Sequence, residues 1–436
     1  MMESVLVIGL AAIECLLLVM IYEAMSRRIS SGLSILFCAY SAIFFIAKPL
    51  LAYFLELSAS FAPNDFEAIW RYLVINIIFY CVLLVTTVVF FGKLPNRFGS
   101  FIFDYSEISI SRLYVCLLGT FLISYIVNVI KFGSATYFLQ RNDSFEATMA
   151  LAEGSWYMNI LAAVSTFSLT ALVSRLYVRF PPVLSLIYIV VLLFLTYFIS
   201  QPSSRTAFLT LILAWFFCYP RNVIKHRPSY ISLALFGYCC LIFLYLGNFV
   251  RLGLTPELNA FTIFVSPVLG LLTDSLPADN ALLLIRTFDT QPTTDFLYLL
   301  GAITPLVLVP SSILPIKLPA NKDAILTNFC FPGGIDSAYG HAGSTETFTV
   351  TGSGYADAYF LGAAISSALY ALVLIWYAQL ARSENKSVKF VAAGALLIHI
   401  AAIRLSIEST LIQFYEFLLF FALLKLSAVI RWRPSR

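Results

Sequence analysis

The stretch SVLVIGLAAIECLLLVMIYE, residues 4–23, is broken by a single carboxylate, Glu14, before Glu23 closes it, and it holds no basic residue. A run of about 20 apolar residues crosses a bilayer as one helix. Arg27 and Arg28 follow directly. The preceding MMES carries an acid and no base, so the run reads as an uncleaved first helix, not a signal peptide. Similar runs lie near 33–55, 70–92, 112–131, 156–178, 182–200, 206–220, 229–250, 355–380, 388–404 and 409–430. The sequence therefore predicts an all-α polytopic membrane protein with about eleven transmembrane helices (11–13).

Composition points the same way. Of the 436 residues, 60% are apolar and 11% charged, against about 45–50% and about 25% in soluble domains. Such a chain lacks the charge to cover a soluble surface, and it has the opposite of a disordered composition. A net charge of +4 is no footprint for nucleic acid.

The connectors alternate in charge. One set holds Arg27 and Arg28; Lys93, Arg97 and Arg112; Arg175 and Arg179; Arg221, Lys225 and Arg227; Arg382, Lys386 and Lys389; and Arg431, Arg433 and Arg436. Together these are over half of the 27 Lys and Arg. The positive-inside rule makes this set cytoplasmic. The N-terminus then faces out and the C-terminus in. The chain divides into spans 1–8 over residues 1–251, a long outer loop over 252–354, and spans 9–11 over 355–436.

A loop that long is usually functional. Within it, 261–276 is apolar but short, and 296–316 is broken by Pro305, Pro310 and Pro315. Both read as interfacial or re-entrant helices, since irregular backbone at membrane depth needs protein or a wet cavity around it. Residues 327–351 (TNFCFPGGIDSAYGHAGSTETFTVT) are rich in Gly, Ser, Thr and aromatics. They suit a loop that bonds hydroxyls and stacks on sugar rings, or a plain surface loop. Of eight cysteines only Cys330 falls outside the spans, and no zinc spacing occurs. Nucleotide-binding, HExxH and EF-hand signatures are absent, so neither a cofactor nor a metal is expected.

Four cations stand on the outer face, where the orientation rule disfavours them: Arg205 in QPSSRTAF, Arg251 in GNFVRLG, Lys317 in LPIKLP and Arg404 in AAIRLSIEST. Each reads either as a snorkelling anchor or as part of a cluster for diphosphate, which the guanidinium fork suits. Arg404 and Glu408 are spaced i, i+4 and would share a helix face, either pairing or jointly holding a phosphate. His341, Glu346 and Asp357 are candidates for a general base toward a sugar hydroxyl. Glu14, Lys48, Glu416 and Lys425 are intramembrane charges without an evident role. His399 reads as a helix-to-helix hydrogen bonder.

This layout resembles the Wzy-type polymerases of bacterial polysaccharide synthesis, which include the O-antigen and enterobacterial common antigen polymerases. The likeness lies in the span count, in Arg205 within a short outer turn, and in the large outer loop before the last three spans. Locally, TYFLQRNDSF (136–145), VPSSILPIKLP (309–319) and GSGYADAYFLG (352–362) are similar to family patterns. The last keeps Tyr355 and Gly362 but has Ser353 where the family places Glu, and Asp357 where it places Asn. The resemblance implies a bacterial inner-membrane enzyme with a periplasmic N-terminus and a cytoplasmic C-terminus. It would join undecaprenyl-diphosphate-linked repeat units at the periplasmic face. Arg205, Arg251, Lys317 and Arg404 would hold diphosphate, Arg141 and Tyr355 would bind substrate, and Glu346, Asp357, Glu408 or His341 would be catalytic. A chain-length regulator protein is the implied partner. The rival expectations are an O-antigen ligase and a lipid-linked oligosaccharide flippase or other transporter, although the paired repeats of a transporter are not visible.

Overall fold

The computed structural model describes residues 2–28, 31–56, 62–91, 276–291, 326–331 except 328, 348–382 and 386–429, with single positions at 119, 122 and 126. Among the described residues every regular element is helical. Four helices are long and apolar enough to cross a membrane: Met2–Arg28, Leu33–Leu55, Phe66–Phe90 and Val350–Leu380. The spans expected between 112 and 250 lie outside the described residues.

Helix α1, Met2–Arg28, buries Val7, Ala11, Glu14, Leu18, Ile21 and Met25 along one stripe. Its opposite face exposes Val5, Leu6, Ile8, Ile13, Leu16, Val19 and Met20. A helix apolar all round belongs in a membrane or a core. The next span is composite. Helix α2, Ser31–Ser41, runs into a π-helical segment, Ala42–Ala47, and then into α3, Lys48–Leu55. It returns antiparallel to α1, with the Cys38 thiol donating to the Leu18 carbonyl at 3.6 Å. Helix α4, Phe66–Phe90, starts at Asp65, whose side chain accepts from the Ala68 amide at 2.9 Å. Such a cap satisfies one of the unbonded donors of a first turn.

Two further helices join this bundle. Helix α5, Leu276–Thr290, is buried from Pro277 to Leu282. Helix α6, Val350–Leu380, is broken inside at Ala358 (φ −159°, ψ 46°) and Tyr359 (φ 52°, ψ −139°). A Cβ on Gly354 would lie 2.6 Å from Ser366 Oγ and 2.8 Å from the Gly362 carbonyl oxygen. In a continuous helix Gly354 and Gly362 would stand about 12 Å apart. The chain therefore doubles back: residues 350–357 form an arm lying antiparallel against the limb 360–380.

Both α5 and the arm begin inside the bundle. Thr349 caps the arm, accepting from the Gly352 amide at 3.1 Å, and is fully buried. Thr351 Oγ1 donates to Asn76 Oδ1 at 3.1 Å, and Asn76 lies about 15 Å along α4 from its start. The start of α5 is fixed by Asp279, 3.0 Å from Lys48 Nζ. Gly352 sits against Ala281, where an added Cβ would come to 2.8 Å. The two short helices thus pack side by side and run toward the same end of the bundle.

The opposite end gathers Arg27, Phe91 and Arg382. Arg382 donates to the Arg27 carbonyl at 3.4 Å and its guanidinium stands 5.0 Å from the Phe91 ring centre. The C-terminal ends of α1, α4 and α6 are therefore neighbours.

Helix α7, Lys386–Ala401, leads through a 3-10 turn, Ala402–Arg404, to α8, Ile407–Val429. Tyr370 on α6 and His399 on α7 are joined twice: the tyrosine hydroxyl donates to the His399 carbonyl and His399 Nε2 bonds the Tyr370 carbonyl, each at 2.9 Å. Trp376 and Tyr377 pack edge-on against Phe417 of α8.

Helix begins at Val350, inside the stretch expected as outer loop with short helices, and Gly352 and Gly354 serve close packing. Asp357 ends the folded-back arm. Residues near Thr327 and Cys330 were expected in a loop, yet they are helical and buried.

Candidate functional site

Polar residues of the described chain collect in two places. The first lies at the end where α5 and the arm finish. The Tyr355 hydroxyl donates to Asp289 Oδ1 at 2.7 Å. The Arg71 guanidinium pairs with the other Asp289 oxygen and, 2.7 Å away, with Glu67 one turn back on α4. Arg286 pairs with Asp65 beside it. The Arg71 and Asp289 side chains are 24% and 19% exposed, so the pair is shielded but reachable. Aromatic rings wall it. Phe288 lies 5.1 Å from Tyr359, and Tyr355 lies 5.5 Å from both Tyr359 and Phe360, measured between ring centres. Tyr359 keeps a left-handed φ of 52°, unfavourable for a bulky side chain and most often found at functional turns. Three carboxylates stand here against two guanidinium groups, so the polar and aromatic faces suit a ligand rich in hydroxyls.

The second place is interior. Lys48 and Asp279 pair at 3% and 0% exposure. Beside them the Tyr72 hydroxyl donates to the Phe44 carbonyl, and Asn76 Nδ2 to the Phe45 carbonyl, both at 3.4 Å. These carbonyls belong to the π segment, whose wider bonding pattern turns them toward α4. Thr349 and Asn76 also bear on Tyr72. The inner starts of α5 and the arm therefore meet a polar patch built by α3 and α4.

Of the residues singled out from sequence, Tyr355 falls at the first place, and Asp357 ends the arm two residues further on. Tyr355 is 2% and Asp357 8% exposed, both on the arm. Arg404 lies elsewhere: it hydrogen-bonds the Tyr40 hydroxyl, and Tyr40 lies close to Tyr370, about midway along the α6 limb. Glu408 is buried in the first turn of α8. The shared helix face expected for Arg404 and Glu408 is not there. Ser406 accepts from the Ser409 amide at 3.4 Å and starts a new helix between them. Arg141, Arg205, Arg251, Lys317, His341 and Glu346 lie outside the described residues.

Sequence reasoning missed Arg71, Asp289 and Asp279. Arg71 had a usable signal, a cation one turn inside an apolar run. Among the described residues no group of three or more His, Cys, Asp or Glu is placed to hold a metal ion. Burial pushes the Cys330 thiol above its ordinary value of 9.0, which keeps it protonated and unreactive.

No protein-family model, characterised protein or solved structure was found to match the chain.

Proposed function

We propose that the chain is a membrane glycosyltransferase that polymerises undecaprenyl-diphosphate-linked repeat units at the periplasmic face of a bacterial inner membrane. The observation that carries this reading is the folding of GSGYADAYFLG. Tyr355 and Gly362, the two positions at which this stretch keeps the family pattern, hold the arm in place. Tyr355 bonds Asp289, which Arg71 also holds, and Gly362 admits the close approach of Gly354.

In the proposed reaction an acceptor sugar hydroxyl attacks C1 of the donor glycan. The C1–O bond to diphosphate breaks, the diphosphate leaves with the bonding pair, and the hydroxyl proton passes to a carboxylate. Such a step needs a positioned acceptor, a base and cations where charge develops. Asp357, at the outer end of the arm, is the base best placed among the described residues; Glu346, Glu408 and His341 are the other candidates. Arg205, Arg251, Lys317 and Arg404 are the proposed cations for diphosphate, and Arg141 is proposed to hold substrate. The Arg71 end then faces the periplasm, which places the N-terminus there and the C-terminus in the cytoplasm. A chain-length regulator remains the proposed partner.

One observation favours a flippase or transporter instead. Short helices that start inside a membrane bundle beside polar groups are typical of transport sites, and α5 and the arm do so. An O-antigen ligase would share the polymerase chemistry with a different acceptor. The surface glycan of a strain deleted for this chain separates the three. Single repeat units on the surface lipid support polymerisation, whereas a surface lipid with no repeat units would point to ligase or flippase and overturn it.

A further inference from the structure

The interior polar place continues into a further group beside Tyr72, which both Glu14 and Tyr80 approach. Glu14 is fully buried in α1 and neither carboxylate oxygen has a hydrogen-bond partner among the described residues. Ser41 Oγ and the Tyr80 hydroxyl are buried beside each other and meet no group outside this cluster among the described residues. Two lines bear on their placement, the first on all three residues and the second on Glu14 and Ser41. Glu14 and Ser41 both act on the Tyr80 hydroxyl. The antiparallel register of α1 and α2, fixed by Cys38 against Leu18, sets Ser41 opposite Glu14, because each lies about one turn further along its helix. Ser41 is also the last residue before the π segment, and such segments concentrate at functional sites.

Four buried oxygens that meet nothing beyond their own cluster are costly, since a buried polar atom left unmet loses its hydration without compensation. An isolated carboxylate costs more. No cationic side chain pairs with Glu14 among the described residues. A proton would neutralise the charge but satisfy only one oxygen. A water molecule would bridge oxygens but leave the charge. A divalent ion normally gathers several carboxylates, and among the described residues this cluster has only Glu14.

We propose that Glu14, Ser41 and Tyr80 form a site for one monovalent alkali cation, held by the Glu14 carboxylate and the two hydroxyl oxygens. The ion ties α1, α2 and α4 together at the π segment. Because Phe44 and Phe45 of that segment receive Tyr72 and Asn76, the ion also steadies the patch on which the arm begins. The site stands whether or not the polymerase reading holds.

The test is thermal unfolding of the full chain in lipid nanodiscs, in sodium chloride and in choline chloride at equal ionic strength. The expected result is a midpoint several degrees higher in sodium, rising with sodium concentration. Glu14→Gln should abolish the difference, and Tyr80→Phe should weaken it while leaving the fold intact. If Glu14→Gln fails to fold, Ser41→Ala provides the same reading, with a weaker sodium response expected. Equal midpoints in sodium and choline for the unsubstituted chain would overturn the site. So would a sodium response that survives Glu14→Gln, or survives at full size in both Tyr80→Phe and Ser41→Ala.

Discussion

Lys48 Nζ lies 3.0 Å from Asp279 Oδ2, and both side chains are closed off from solvent. The pair pins the start of α5 to α3 across more than two hundred residues of chain. Removing one partner strands a buried charge, a loss of about 3–5 kcal/mol in known cases, whereas replacing both by apolar groups is often neutral. Lys48→Ala and Asp279→Ala should therefore each lower the unfolding midpoint strongly, and Lys48→Met with Asp279→Leu should recover most of it. A double variant as unstable as the single ones would refute a purely structural role for the pair.

The folded-back arm depends on the absence of two side chains. A Cβ at Gly354 would press on Ser366 and on the Gly362 carbonyl, while one at Gly362 would meet the Gly354 carbonyl. Backbone cannot move aside as a flexible side chain can. Gly362→Ala should cost about 1–3 kcal/mol, the usual penalty for overpacking, and should loosen the arm. Hydrogen exchange across 350–362 measures it, and unchanged protection there would contradict the hairpin.

How far these features can be read from sequence follows from what each depends on. The long apolar helices α1 and α4 were legible because length and hydropathy alone determine them. The arm was not, since GSG reads as a loop wherever its neighbours are unknown; only packing against Ala281 and Ser366 reveals why small residues stand there. Lys48 was visible as a membrane charge, but its partner Asp279 is distant in sequence and adjacent only in space. The start of α5 left a trace, Pro277 followed by an acid in the first turn, a known helix-start pattern. Nothing in AIFFIA distinguishes a π from an α turn, so the carbonyls offered to Tyr72 and Asn76 were invisible.

Burial holds the Cys330 thiol above 9.0, and only a thiolate reacts readily. A maleimide at pH 8 should label Cys330 far more slowly in the folded chain than after denaturation. The sign for stability follows: the raised thiol supports the fold below about pH 9, and that support declines as pH rises further and the unfolded thiol ionises. Equal labelling rates in the folded and denatured chain would contradict the burial.

Tyr355 donates to a carboxylate that Arg71 also holds, and hydrogen bonds to charged groups contribute about 1.5–3 kcal/mol. Tyr355→Phe removes that bond while keeping the ring against Phe288, Tyr359 and Phe360. A modest fall in midpoint is expected, with a larger one for Asp289→Ala, which also frees Arg71. If the three act as one unit, the losses from Tyr355→Phe and Arg71→Ala should not add in the double variant. Strict additivity would mean that the residues only coexist.

The base is the part of the proposed chemistry that most needs separation. Asp357 and Glu408 are both buried carboxylates, but they stand on different elements: Asp357 ends the arm two residues past Tyr355, and Glu408 opens α8. A general base contributes about a hundredfold to ten-thousandfold. Asp357→Asn should therefore reduce chain extension on purified lipid-linked repeat units by at least about a hundredfold and leave the unfolding midpoint near that of the unsubstituted chain. Glu408→Gln should reduce extension far less. Product length on a gel gives the answer directly. Long chains formed at an unchanged rate by Asp357→Asn would remove Asp357 from the mechanism, and loss of extension only in Glu408→Gln would move the reacting centre toward Arg404.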